Sequence, residues 1–186
     1  MTEQEYLLIP KLIAEGEKGD LEAFKAAFCF MKELEVEGAM MVAGRRANDP
    51  LTTIHDPVNF QKAHSYSSDL RTHVARAAET DDSGQMYALY KDILLFDAPY
   101  DFDCFCRYIE FDRQPDKRFY LPRRKQLLPL ARALQRLEER KIRLLCISMP
   151  PGVGKTTLAE FFLTWTGGKH PELPNIAGSH SNAFLR

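Results

Sequence analysis

Between Met149 and Thr157 the chain reads Met-Pro-Pro-Gly-Val-Gly-Lys-Thr-Thr, a run whose residue types suit the binding of a phosphate group. Pro150 and Pro151 end an apolar stretch, and Gly152 and Gly154 let the backbone curl around Val153. Successive N–H groups, together with a helix N-terminus, would then point at one anion. Lys155 would reach the β- and γ-phosphates of a nucleotide as a point charge and serve the chemistry there. The Thr156 hydroxyl would bind Mg²⁺, with Thr157 beside it. The common pattern G-x-x-x-x-G-K-[ST] has glycine where this chain has Met149. The alternative is a plain glycine turn with a solvated lysine.

A loop of this kind works only between a strand and a helix, and the flanking sequence is read that way. Arg143–Met149 is a short apolar run suited to a buried parallel strand, with Cys146 as a small buried hydrophobe. Lys155–Thr166 places Leu158, Phe161, Phe162 and Trp165 at helical spacing before a Gly167-Gly168 stop. A second short strand is expected at Asn175–Gly178. Upstream, Gln126–Arg140 sets Leu127, Leu130, Ala131, Leu134 and Leu137 on one face of an amphipathic helix. Helix, strand, Gly-rich loop, helix, strand is the opening of an α/β nucleotide-binding domain. The expected fold is therefore α/β, a helical N-terminal region (1–84) followed by a lead-in and the start of a P-loop NTPase domain with an incomplete parallel sheet (85–186).

The first part, Glu3–Val42, reads as helical. Leu21, Phe24, Ala27, Phe28, Met31 and Leu34 recur at three and four residues, with Asp20 as N-cap and Gly16 and Gly19 at the preceding boundary. Asn48–Pro57 reads as a loop, Phe60–Ala78 as a third helix, and the polar cluster 79–84 as a linker. Met86–Phe96 is read as a helix ending before Pro99. The run Ile93–Asp97 therefore marks a helix end, although an apolar stretch closed by a carboxylate imitates the Mg²⁺-binding Walker B strand.

At 186 residues, with 45% hydrophobic and 27% charged residues, the chain suits one ordinary domain or two small ones. Without an 18-residue apolar stretch or a basic-then-apolar N-terminus, no membrane partner is expected and a cytoplasmic location is read. The four cysteines lack metal-site spacing and read as reduced thiols. A net charge of −1 leaves any DNA contact to a local patch, and Lys117–Lys125 carries five positive charges in nine residues. That segment is read as touching DNA phosphates, lying beside a nucleotide, or forming a solvated turn. His170 and His180 are read as surface residues.

The run Ile147–Thr157 resembles the Walker A region of phage terminase large subunits, in which a Met-Pro-Pro sequence often precedes the loop. Trp165, Gly167-Gly168, Pro171 and Asn175–Ser181 are similar to the helix, turn and strand that follow it in that family. Arg118–Gln126 looks like the segment leading into its ATPase domain. The resemblance covers roughly residues 100–186. It implies an oligomeric ATPase that pumps viral double-stranded DNA into a capsid within a bacterial host, using ATP and Mg²⁺ and working with a small terminase subunit and a portal protein. It also implies that residues upstream of the loop hold adenine, with Gln126 pairing to the base edge and Arg123 or Arg124 stacking or approaching phosphate.

Downstream of Thr156, Glu172 stands in a Pro-rich loop with no apolar strand before it. The Walker B strand and the family's nuclease residues are thus expected to lie outside this sequence, and the chain is expected to be incomplete and inactive alone. Two further readings stay open. One is another P-loop NTPase, of helicase or AAA+ type, and the other is a non-catalytic interaction module carrying a remnant loop.

Overall fold

The computed structural model describes residues 6–42 and 52–174. The chain divides into two compact units, Met1–Asp97 and Ala98–Arg186. In the first, α1 (Ile9–Gly16) and α2 (Leu21–Val36) are followed by β1 (Met40–Val42) and β2 (Thr52–Ile54), then α3 (Pro57–Ala78) and α4 (Gln85–Asp97). The second holds α5 (Phe102–Ile109), one 3-10 turn (Pro115–Lys117), α6 (Tyr120–Glu138) and α7 (Lys155–Lys169).

Local chemistry sets the helix starts. Asp20 Oδ1 accepts from the Glu22 and Ala23 amides at α2, and Asp56 Oδ1 accepts from Val58 and Asn59 at α3, where Pro57 occupies a first-turn position that needs no N–H. Asp101 does the same for Cys104 at α5. The cluster 79–84 is a turn joining α3 to α4 within the first unit, and the Asp81 carboxylate accepts from Ser83 and Met86 there.

α2, α3 and α4 pack side by side, with α1 against α2 and α3. Phe24, Met31, Leu34, Leu70 and Ile93 are fully buried between them. Each such side chain contributes about 1.5–3 kcal/mol relative to exposure. Gly16 permits the closest approach, since a Cβ there would lie 2.2 Å from the Phe24 ring. In the second unit, α5, α6 and α7 enclose Phe102, Tyr120, Leu127, Leu134, Leu158 and Trp165. Trp165 Nε1 donates to the Ala98 carbonyl at 2.8 Å.

The parallel sheet expected from the sequence is not formed. The described residues are predominantly helical, and their one sheet is the antiparallel pair β1–β2, with Met40 opposite Ile54, formed where the sequence is read as the end of a helical stretch (Met40–Val42) and as a loop (Thr52–Ile54). Arg143–Met149, read as a buried strand, is irregular chain; Leu144 is 79% exposed and Cys146 is exposed as well. A strand must pair its backbone N–H and C=O groups, and this segment has no neighbouring strand among the described residues, so water is left to serve them. Leu145 and Met149 still pack against the core of the second unit. The second expected strand, Asn175–Gly178, lies outside the described residues.

Other elements differ in extent. The helix read as Gln126–Arg140 begins six residues earlier, at Tyr120, because Pro122 falls in its first turn, where proline is tolerated. α7 continues through Gly167 and Gly168 to Lys169, and its end is tied by Lys169 and His170 to Glu138 of α6, at 2.8 and 3.1 Å. No helix among the described residues is long and apolar enough to cross a membrane.

Candidate phosphate-binding loop

The loop Pro150–Gly154 leads directly into α7, whose first residue is Lys155. Gly152 has φ +79° and Gly154 φ +100°, both in the left-handed region that side chains with a Cβ rarely enter. Gly154 is the N-cap, and no side chain caps the helix. The first-turn amides of α7 therefore start without the side-chain acceptor that α2, α3 and α5 each receive. Lys155 folds back across the loop, its ammonium donating to the Met149 carbonyl and, at 3.4 Å, to that of Pro150. Thr156 is exposed at the second position of α7 and Thr157 is half-buried at the third, while Pro150, Pro151 and Gly152 face solvent and Val153 packs partly into the core.

The upstream segment meets this loop through Phe119. A Cβ on Gly154 would stand 2.2 Å from Phe119 Cε2, so the ring occupies the space that glycine leaves open. The same ring packs edge-on against Phe161 of α7 at 5.8 Å and carries the Arg123 guanidinium 5.5 Å from its centre. Arg123 also donates to the Phe119 carbonyl at 3.2 Å. Arg123 is thus linked to the loop through an aromatic ring. Gln126 is exposed on the next turn of α6, and among the described residues no hydrogen bond ties it to the loop.

Two carboxylates that the sequence does not single out anchor the start of α6 at and after Phe119. Glu110, fully buried, accepts from the amides of Phe119, Tyr120 and Leu121 at 2.8–3.0 Å and so caps α6 from a distance. Asp103 takes Arg124 in a bidentate pair at 2.8 and 2.7 Å and the Tyr120 hydroxyl at 2.7 Å. Burial, with the Asp103 charge beside it, pushes the Tyr120 phenol far above its ordinary range. Burial likewise pushes the Cys106 thiol up, which makes it an inert core group rather than a nucleophile. Asp103 in the first turn of α5 and Glu110 at its end have partners 17 to 21 and 9 to 11 residues away in sequence, and no local pattern distinguishes such acids from solvated ones.

The basic run Lys117–Lys125 is largely consumed internally. Arg118 donates to the Phe111 and Arg113 carbonyls, Arg124 binds Asp103 and Arg123 lies on Phe119. Lys117 and Lys125 remain exposed.

For a magnesium ion the loop offers one protein ligand, the Thr156 hydroxyl. No cluster of three or more His, Cys, Asp or Glu suited to a metal occurs among the described residues. Glu160 and Glu172, the carboxylates nearest downstream, are both exposed. His170, read as a surface residue, is partly exposed and paired with Glu138, and His180 lies outside the described residues. Asp97 ends α4, as its reading as a helix end requires, but its carboxylate is buried with His64, Ser67 and Arg71. The spacing of those three on α3, which sets polar groups beside the buried Ala63, Leu70 and Val74, was the available signal. Comparison of the chain with protein-family models, with characterised proteins and with solved structures finds no match.

Proposed function

We propose that residues 149–157 bind the phosphates of a nucleotide, and that the chain serves a terminase-like DNA-packaging ATPase. The supporting observation is the local build of the loop. Two left-handed glycines lead into an uncapped helix N-terminus, and a lysine lies over the same few atoms. Backbone amides at such a terminus favour an anion by charge and by direction. A phosphate arriving there gives the Lys155 ammonium an anion in exchange for two neutral carbonyls, which adds a direct attraction between opposite charges. Magnesium would be held by Thr156, with phosphate and water supplying its other ligands. ATP and DNA packaging enter from the resemblance of Ile147–Thr157 and its flanks to the terminase family.

The second reading, an interaction module with a remnant loop, is favoured by one feature. The segment entering the loop is irregular and exposes Leu144, whereas a working loop is normally anchored by a strand. Calorimetric titration of Mg²⁺-ATP into the wild-type chain and into Lys155→Ala, with phosphate release followed in parallel, separates the two. The expected result is saturable binding that Lys155→Ala abolishes or weakens at least about tenfold, which corresponds to about 1.4 kcal/mol. Absence of binding to a chain shown by circular dichroism to be folded would refute the nucleotide reading and leave the interaction module.

A further inference from the structure

A group of charged side chains meets inside the first unit, apart from the phosphate loop. Asp97, at the end of α4, has a side chain only 4% exposed. Its oxygens take His64 Nδ1 at 2.8 Å, Ser67 Oγ at 2.8 Å and the Arg71 guanidinium. On its other edge His64 reaches α2, with Nε2 3.4 Å from Glu35 Oε1. The imidazole stacks on Phe96 at 4.7 Å and lies 4.4 Å from Phe60, so aromatic carbon covers its faces. His55, the next titratable ring, packs 5.2 Å from Phe60 and makes a 3.0 Å contact with the Glu35 carbonyl.

Both ring nitrogens of His64 therefore face carboxylate oxygens, one from α4 and one from α2. A neutral imidazole has a single N–H and can donate to only one of them, leaving a lone pair against an anion at the other. The imidazolium donates to both. Charge counting agrees, since Asp97 and Glu35 bring two negative charges and Arg71 one positive. Only a protonated His64 makes the group neutral, and an uncompensated charge in a buried site is strongly disfavoured.

We propose that His64 is a proton-operated pin of the first unit: as imidazolium it ties α4 and α2 to α3 through Asp97 and Glu35, and loss of its proton loosens the packing of these helices. Burial opposes the charge, but the hydrogen bonds to Asp97 and Glu35 outweigh it and hold the group above the ordinary histidine value. A histidine whose folded value is raised gives stability that is fully present below the unfolded value, about 6.5, and is lost as pH rises through the folded value. The pin is thus closed in mild acid and opens as pH rises through a value above the ordinary histidine one.

The test uses the full chain. Imidazole signals are titrated by NMR, with His64 assigned by its loss in His64→Gln or, should that variant not fold, by its contacts to the Phe60 and Phe96 rings. Amide exchange of α3 is then followed from about pH 6 to about pH 9, after correction for intrinsic exchange rates. The expected results are a His64 titration above about 6.5 and corrected α3 protection that falls with pH in the wild type and in His73→Gln but loses that dependence in His64→Gln. A His64 titration at or below the ordinary value, or a wild-type pH dependence retained in His64→Gln, would overturn the proposal. Neither result depends on nucleotide binding.

Discussion

At the scale of single residues, the two glycines of the loop make different demands although both are left-handed. A Cβ at Gly152 meets nothing within 4 Å, whereas one at Gly154 would strike Phe119 at 2.2 Å. Gly152→Ala therefore carries the backbone penalty alone, about 1 kcal/mol. Gly154→Ala adds displacement of an aromatic ring that also supports Arg123 and Phe161, for a total of about 2–4 kcal/mol. Trp165, the only tryptophan and 97% buried (relative exposure 3%), reports the second unit by fluorescence during denaturant unfolding. The expected outcome is a clearly lower midpoint for Gly154→Ala than for Gly152→Ala. Equal midpoints would mean that the Phe119–Gly154 contact contributes nothing to stability.

At the scale of elements, helices were legible and the sheet was not. The face formed by Leu127, Leu130, Ala131 and Leu134 is buried on α6, and the Asp20 cap stands where the sequence put it. Both follow from chemistry within one or two turns. The apolar run Arg143–Met149 could not be read in the same way, because a strand exists only if a partner supplies its hydrogen bonds, and no property of seven residues declares that partner. The candidate loop was legible from its glycines and Lys155, while its support from Phe119, Glu110 and Asp103 depends on packing between α5, α6 and α7. Leu144 gives a direct test of the element. In a buried strand Leu144→Ala would cost about 2–5 kcal/mol, whereas a side chain 79% exposed predicts a change within about 0.5 kcal/mol. A large loss in the same Trp165 assay would show that this segment is buried in solution.

At the scale of the whole molecule, the chain holds two separately cored units and a net charge of −1, so no general field draws it to nucleic acid. A DNA contact has to be local, and the five positive charges of Lys117–Lys125 are the available patch. Counted from sequence, they suggest five phosphate contacts and a slope of log K against log salt of about −4.5 on duplex DNA. Counted from their bonds, Arg118, Arg123 and Arg124 are held by carbonyls, an aromatic ring and Asp103, which leaves Lys117 and Lys125 and a slope of about −2. Exposed acids beside the patch, Asp112 and Asp116, weaken attraction further. Fluorescence anisotropy of a labelled duplex across a salt series should thus give weak binding with the shallow slope, and Lys117→Ala with Lys125→Ala should flatten it. A slope near −4.5 would mean that the three arginines leave their internal partners to reach phosphate, and the ordering of α6 by Asp103 would then be exchanged for DNA binding rather than kept alongside it.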